Sequence, residues 1–357
     1  MKINVTMLVA RLLGFNTNEP DYRYRFKLNQ KLKRSLYWGM ATSFLICALF
    51  CRKEAPVEQG NGFEAGPILF VSDKSGTWQL YSMNEDGSDV KQLTNDPNFP
   101  ITDARWSPDG SKIVFTSRDD RIDPQQKSSA LYIMNADGTG RYKLTNPPIE
   151  AFSYPADGSP VWSPDGKRIA FARLMPPEIA GETDVFVVNL DSKNERQLTS
   201  NRNLTEHPAG WTPDGLYLLV EYGDYLTGKS QIALLDFQGN YVRTLTHPDS
   251  SDRSPVFSPD GKSIVFTSRE GNLHLMDEDG HNRRRLTEAV FLQFAVDFSA
   301  DGSRILYNSW DKPTPGNPFE NDPWNIVIID TTGTKLVQIT PFDYRQATFY
   351  ATSWRRR

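Results

Sequence analysis

From residue 67 onward the chain alternates short apolar runs with polar, turn-rich segments, and the alternation repeats as a unit. The clearest copy is Trp106-Ser107-Pro108-Asp109-Gly110 followed by Ile113-Val114-Phe115. It reads as strand, tight turn, strand. Pro presets φ at the first central turn position, Asp bonds locally to the backbone, and Gly takes the left-handed conformation that returns the chain. The β-branched and aromatic residues after it suit a packed, pleated surface. The same pattern begins at Trp162, Trp211, Phe257 and Phe298.

Two further anchors complete the unit. An apolar strand ending in a polar turn recurs as Leu80 to Gly87, Leu131 to Gly138 and Leu273 to Gly280. Its Asp-Gly pair is a hairpin signal. A Leu-Thr or Ile-Thr pair then closes each unit, with the threonines at 94, 145, 199, 246, 287 and 340, spaced 41 to 54 residues apart. Each unit therefore predicts four strands: A at the Trp, B at Ile-Val-Phe, C before the Asp-Gly turn and D before Leu-Thr. Six such units in series predict an all-β, six-bladed β-propeller with four-stranded blades. The first unit starts directly at a B strand, Pro67 to Ser72, while Phe349 to Trp354 reads as an A strand with no blade after it. The C-terminal strand is thus expected to close the N-terminal blade.

Residues 1–51 differ in kind. Lys27, Lys31, Lys33 and Arg34 precede an uncharged apolar run from Leu36 to Cys51, which is short for a bilayer span. A basic flank, a short apolar core and a cysteine predict an export signal or membrane anchor, with Cys51 the lipidation candidate. Residues 52–66 are polar and Gly-rich and read as a linker, leaving 67–357 for the propeller. The expected location is exported: periplasmic or held at the envelope, with membrane contact only through the N-terminal segment.

Charge narrows the partners. Lys plus Arg number 40 against 44 Asp plus Glu, a net charge of −4, so nucleic acid is not expected as a partner. The only two cysteines, Cys47 and Cys51, lie in the apolar run, so the repeats can hold neither a disulfide nor a Cys-based zinc site. His207, His247, His274 and His281 show no metal-ligand spacing. No Gly-x-Ser-x-Gly elbow or phosphate loop is present. No cofactor, metal or catalytic residue is expected.

The repeated Trp-Ser-Pro-Asp-Gly, Leu-Tyr-Ile-Met-Asn-Ala-Asp-Gly and Lys-Leu-Thr segments resemble the six-bladed propeller repeat of the TolB family, over about residues 67–354. The resemblance implies a bacterial envelope protein, since TolB is the periplasmic component of the Tol–Pal system. TolB carries an α/β domain between its signal and its propeller. Here only about 15 residues intervene, so the sequence reads as a stand-alone TolB-like propeller.

A non-enzymatic binding module for a protein or envelope component, acting as a monomer, is the function expected. The alternative is a carbohydrate-active propeller enzyme such as a lyase. Recognition is expected on the variable B–C and D–A loops, because the A–B and C–D turns are nearly identical in every unit. The binding-face candidates are Arg118, Arg173, His207, Arg253, Trp310, Trp324 and Tyr350. Arg118, Arg173 and Arg269 share one repeat position after strand B and either ring the mouth as an anion site or pair with carboxylates such as Asp103 or Asp184. The one aromatic per unit at the Trp106 position is expected to pack between blades.

Overall fold

The computed structural model describes residues 65–118, 128–147, 156–175, 182–224, 227–288, 292–310, 324–339 and 349–356. The basic leader, Cys51 and nearly all of the linker lie outside the described residues. Within them every regular element is a β-strand. The first sheet holds β1 (Ile68–Ser72), β2 (Gln79–Met83) and β3 (Lys91–Gln92); the second holds β4 (Ile101–Trp106), β5 (Lys112–Ser117), β6 (Ala130–Asn135) and β7 (Tyr142–Lys143). An eight-stranded sheet follows. Its first half is β8 (Asp157–Trp162), β9 (Arg168–Leu174), β10 (Thr183–Asn189) and β11 (Glu195–Gln197). Its second half is β12 (Leu204–Trp211), β13 (Leu218–Asp224), β14 (Lys229–Leu235) and β15 (Tyr241–Thr244). One parallel pair, Thr183 with Thr205, joins the halves.

Two more four-stranded sheets complete the chain. One is β16 (Arg253–Phe257), β17 (Ser263–Thr267), β18 (Leu273–Asp277) and β19 (Arg284–Arg285). The other is β20 (Leu292–Phe298), β21 (Arg304–Trp310), β22 (Trp324–Asp330) and β23 (Leu336–Gln338). The last strand, β24 (Phe349–Trp354), returns to the first sheet and pairs antiparallel with β1, Ile68 opposite Trp354 and Ser72 opposite Phe349. The inner strands β4, β8, β12, β16, β20 and β24 each pack against the next, and β24 packs against β4. This is an all-β propeller.

The repeated sequence anchors are hydrogen-bonding devices. In the A–B turn Ser107 Oγ donates to Asp109 Oδ1 (2.6 Å), the Ser111 amide donates to the same oxygen (3.0 Å), and the Lys112 amide donates to Ser107 Oγ (2.9 Å). The bonds from Ser107 and Ser111 hold the Asp109 carboxyl down at about 2. In the closing pair the Thr hydroxyl accepts a hydrogen bond from a backbone amide of strand C: Thr94 from Leu80, Thr145 from Leu131, Thr199 from Val185, Thr246 from Ile232 and Thr287 from Leu273, each at 2.9 Å. A side chain thereby satisfies an amide beyond the reach of the two- to four-residue D strands.

The inner aromatics link neighbouring sheets. The Trp106 indole donates to the Pro67 carbonyl (3.0 Å), Trp162 to Arg105 (3.2 Å) and Trp211 to Val161 (3.2 Å). Apolar cores lie between sheets as well: Ile68, Phe70 and Trp354 of the first pack with Leu306, Ile326 and Ile328 of the last. A two-faced strand register supplies both interfaces of a sheet, which is why β1, β2, β9 and β10 are buried along nearly their whole length.

Candidate binding site around the central cavity

Every A–B strand pair carries a register irregularity: between Ile101 and Asp103, Gly158 and Val161, Pro208 and Gly210, Arg253 and Val256, Ala295 and Asp297, and between Leu69 and Phe70 against β24. A bulge bends its strand and re-aims side chains. Here the bulges turn polar groups toward the axis. Asp103, Ser159, His207, Ser254 and Asp297 all line one cavity of about 500 Å³ enclosed by the inner strands. Two bulge residues, Ser159 (φ 51°) and Ser254 (φ 50°), sit in the left-handed region although neither is glycine. The repeat consensus ends before these positions, so the sequence gives no sign of the bulges.

The wall of the cavity carries acid and base in opposition. His207 of β12 stands across from Glu221 of β13 as its cross-strand partner. Burial pushes the Glu221 carboxyl up, against the Ser254 amide, which donates to Glu221 Oε2 (2.8 Å), and against the nearby Arg253 charge. Burial pushes the His207 imidazole down, toward the neutral form. Arg105 Nη1 pairs with Asp103 Oδ1 at 3.0 Å. On the far side Arg356 Nη2 pairs with Asp297 Oδ1 at 2.9 Å.

The candidates from sequence do not all converge here. His207 lines the cavity, and Arg253, first residue of β16, stands close enough to Glu221 to influence it. Arg118 follows the last residue of β5 and is half-buried. Arg173 follows the pairing alternative with other carboxylates: it is buried, its Nε and Nη2 bond Asp157 (2.6 and 2.9 Å), and its Nη1 pairs with Glu195 (2.7 Å). It therefore offers no charge to a ligand, and its partner is not Asp184. The loop placement of Trp310 and Trp324 is corrected: they are strand ends, the last residue of β21 and the first of β22. They pair across β21 and β22 with rings stacked at 6.1 Å, and Phe294 lies 5.7 Å from Trp324. Cross-strand aromatic attraction extends this hairpin beyond its repeat. Tyr350 lies within β24, donates to the Thr102 carbonyl (2.6 Å) and faces Trp78, which makes it an internal contact. Cys51 lies outside the described residues. Among the described residues no three His, Cys, Asp or Glu side chains gather as a metal site.

The fold and cavity define a β-propeller protein. Residues 125–272 match the family model described as the TolB beta propeller domain. An uncharacterized protein of Agrobacterium fabrum is 26% identical over 265 residues, covering 70% of this chain and 83% of its own. A TolB homolog of Chlorobium chlorochromatii is 30% identical over 174 residues, 47% of this chain and 38% of its own. The uncharacterized peptidase YuxL of Bacillus subtilis is 29% identical over 167 residues, but the match spans only 22% of that protein. Among solved structures, TolB from Acinetobacter baumannii superposes with a TM-score of 0.63 at 22% identity, over 81% of this chain and 67% of that one. The oligogalacturonate lyase of Vibrio parahaemolyticus gives 0.51 at 13% identity, over 76% and 73%. At those identities the likeness is one of fold.

Proposed function

We propose that this chain is a non-enzymatic binding module of the bacterial cell envelope, a stand-alone six-bladed propeller that engages a partner protein at its central cavity and variable loop face. The six-blade reading treats the eight-stranded sheet as two blades joined by the single Thr183–Thr205 pair, in keeping with the circuit of inner strands. The observation that carries the binding reading is the asymmetry of the cavity wall. Around the cavity a near-regular repeat presents Asp103–Arg105, His207–Glu221 and Asp297–Arg356, each of different chemistry. Specific recognition needs such unlike anchors on a rigid frame. The envelope location rests on the likeness to TolB and on the basic-apolar leader ending at Cys51, the proposed lipid attachment point.

Capture from a bacterial envelope fraction on the immobilised chain tests this. A partner retained by the wild type should be lost at least about tenfold, roughly 1.4 kcal/mol, in a His207→Ala, Trp310→Ala, Trp324→Ala triple variant that still melts cooperatively. Equal capture by both would overturn the assignment of the site. The alternative, a carbohydrate-active lyase, is favoured by the opposed His207 and Glu221 and by the fold it shares with a lyase. Turnover of an acidic oligosaccharide that disappears with His207→Ala would establish it instead.

A further inference from the structure

Arg355 and Arg356 follow β24, and Arg356 lines the cavity. Arg355 lays its guanidinium over the Trp106 ring, 4.1 Å from its centroid. Arg356 then reaches into the cavity wall, where one nitrogen donates both to Asp297 Oδ1 of β20 (2.9 Å) and to the Phe257 carbonyl of β16 (3.2 Å). Asp297 is only 11% exposed and is already fixed, its Oδ2 accepting the Trp354 amide (3.2 Å) and its Oδ1 the Phe298 amide (2.9 Å). The Arg356 side chain is 39% exposed and lies past the last strand. A held carboxylate and an inward carbonyl thus meet a tethered cation. Carboxylate and carbonyl acceptors arranged together favour a guanidinium over other groups.

We propose that Asp297 and the Phe257 carbonyl form a receptor for an arginine side chain in the central cavity, that Arg356 occupies it in cis, and that an arginine-bearing extended segment of a partner takes its place. The proposal deepens the binding-module reading and rests on it. Charge complementarity supports the choice of ligand. Without Arg356 the cavity wall holds the carboxyls of Asp103, Glu221 and Asp297 against the single guanidinium of Arg105. Tethering gives Arg356 a high effective concentration, so in the intact chain a free ligand competes poorly until further contacts assist it. Arg356 is then a built-in threshold: a segment offering only one arginine is refused, and one that also engages the loop face is admitted.

The test needs no natural partner. The probes are acetyl-Gly-Arg-Gly-amide and its citrulline counterpart, which keeps the shape and loses the charge, titrated calorimetrically into the full chain. Arg356→Ala should bind the arginine peptide at least about fivefold more tightly than the wild type and should discriminate against citrulline. Adding Asp297→Asn should abolish that gain. Arg356→Gln, which keeps a hydrogen-bonding side chain without the charge, serves if the alanine variant fails to fold. No gain in Arg356→Ala, equal binding of citrulline, or a gain that survives Asp297→Asn would each overturn the proposal. A lowered melting temperature with no peptide binding would make Arg356 a structural clamp and would likewise overturn it. Envelope capture by the wild type reads the broader binding role separately: its loss would sink that role even with the peptide result intact.

Discussion

Gly138, in the turn between β6 and β7, lies so close to the Leu93 carbonyl of the preceding sheet that a Cβ built on it would stand 2.4 Å from the oxygen. The same approach recurs at Gly87 against Ile339, Gly239 against Leu198, Gly280 against Leu245 and Gly333 against Leu286. The turn between strands C and D of each of these repeats, Asp-Gly in three of the five, is therefore seated on the Leu-Thr or Ile-Thr pair of its neighbour. Two anchors that stand six residues apart within one repeat, as Gly280 and Leu286 do, each meet the other's counterpart across the interface between repeats. Gly76 offers a control, since its φ of 94° is as positive as the 85° of Gly138 but nothing lies within 4 Å of its Cβ position. Gly76→Ala should cost about 1–2 kcal/mol, the left-handed backbone penalty alone. Gly138→Ala should cost roughly 1–3 kcal/mol more, because a backbone carbonyl must move. Urea titration of both variants checks this; equal losses would mean the sheets are not seated on one another this way.

The Arg173–Asp157 pair makes the second prediction. Side-chain exposure is 7% for Arg173 and zero for Asp157. Burial pushes the Asp157 carboxyl up despite the Arg173 bonds, so much of the attraction is spent offsetting desolvation. Arg173→Ala leaves a buried carboxylate unpaired and should cost about 3–5 kcal/mol. Arg173→Met with Asp157→Leu should recover most of that loss. A single variant that unfolds at the wild-type denaturant midpoint would return Arg173 to the list of ligand contacts.

A pH effect follows from the junction of the eight-stranded sheet. Asp184, Glu182 and Glu206 are all buried there, flanking the Thr183–Thr205 pair. Gln197 donates to Asp184 Oδ2 (2.9 Å), while Asn201 and Tyr241 donate to Glu206 Oε1 and the other oxygen of Glu206 has no partner among the described residues. Burial, reinforced by the charges of Glu206 and Glu182, pushes Asp184 up to about 7 from 3.8. The folded state thus holds a proton that the unfolded chain releases. Its stabilising contribution is complete below about pH 4 and is lost as pH rises toward 7. Asp184→Asn removes this dependence while keeping an acceptor for Gln197. Melting temperatures of wild type and variant should agree near pH 4 and separate in favour of the variant by pH 7.5. Parallel curves would exclude Asp184 as the titrating group.

The strands and turns were legible because each repeat states them in local chemistry. The Ser107–Asp109 bond closes within two residues, and the β-branched run after it has one pleated fate. The return of Phe349 to Trp354 to β1 could be read from a missing A strand at one end and a spare one at the other. The site was far less legible. His207 and Glu221 become neighbours only through the β12–β13 register, and Asp297 and Arg356 only through closure of the chain. Arg173 resembles Arg118 in repeat position, yet Asp157 and Glu195 capture it from strands the consensus leaves free to vary. Trp310 and Trp324 read as loop anchors because their pairing lies past the repeated core of β21 and β22. Scaffold residues answer to neighbours in sequence and site residues to neighbours in space.

Closure itself can be weighed with two tryptophans. Trp354 ends β24 and is 1% exposed, packed among Ile68, Phe70, Leu306 and Ile326, and its indole donates to Glu85 Oε1 at 3.2 Å. It belongs at once to the strand that completes the first sheet and to the interface with the last. Trp310 is half-buried at a strand end and touches chiefly Trp324. Trp354→Ala should therefore cost about 3–5 kcal/mol, the usual loss for a large core aromatic. Trp310→Ala should cost under half of that, near the roughly 0.5–1.5 kcal/mol of an aromatic pair. The two variants should also differ in kind. Loss of Trp354 loosens β24, so amide exchange should quicken at Leu69 and Val71 of β1, whereas loss of Trp310 should leave those amides protected. Exchange measured by mass spectrometry on both variants decides it. Should β1 stay protected without Trp354, the strand pairing alone would suffice to close the ring.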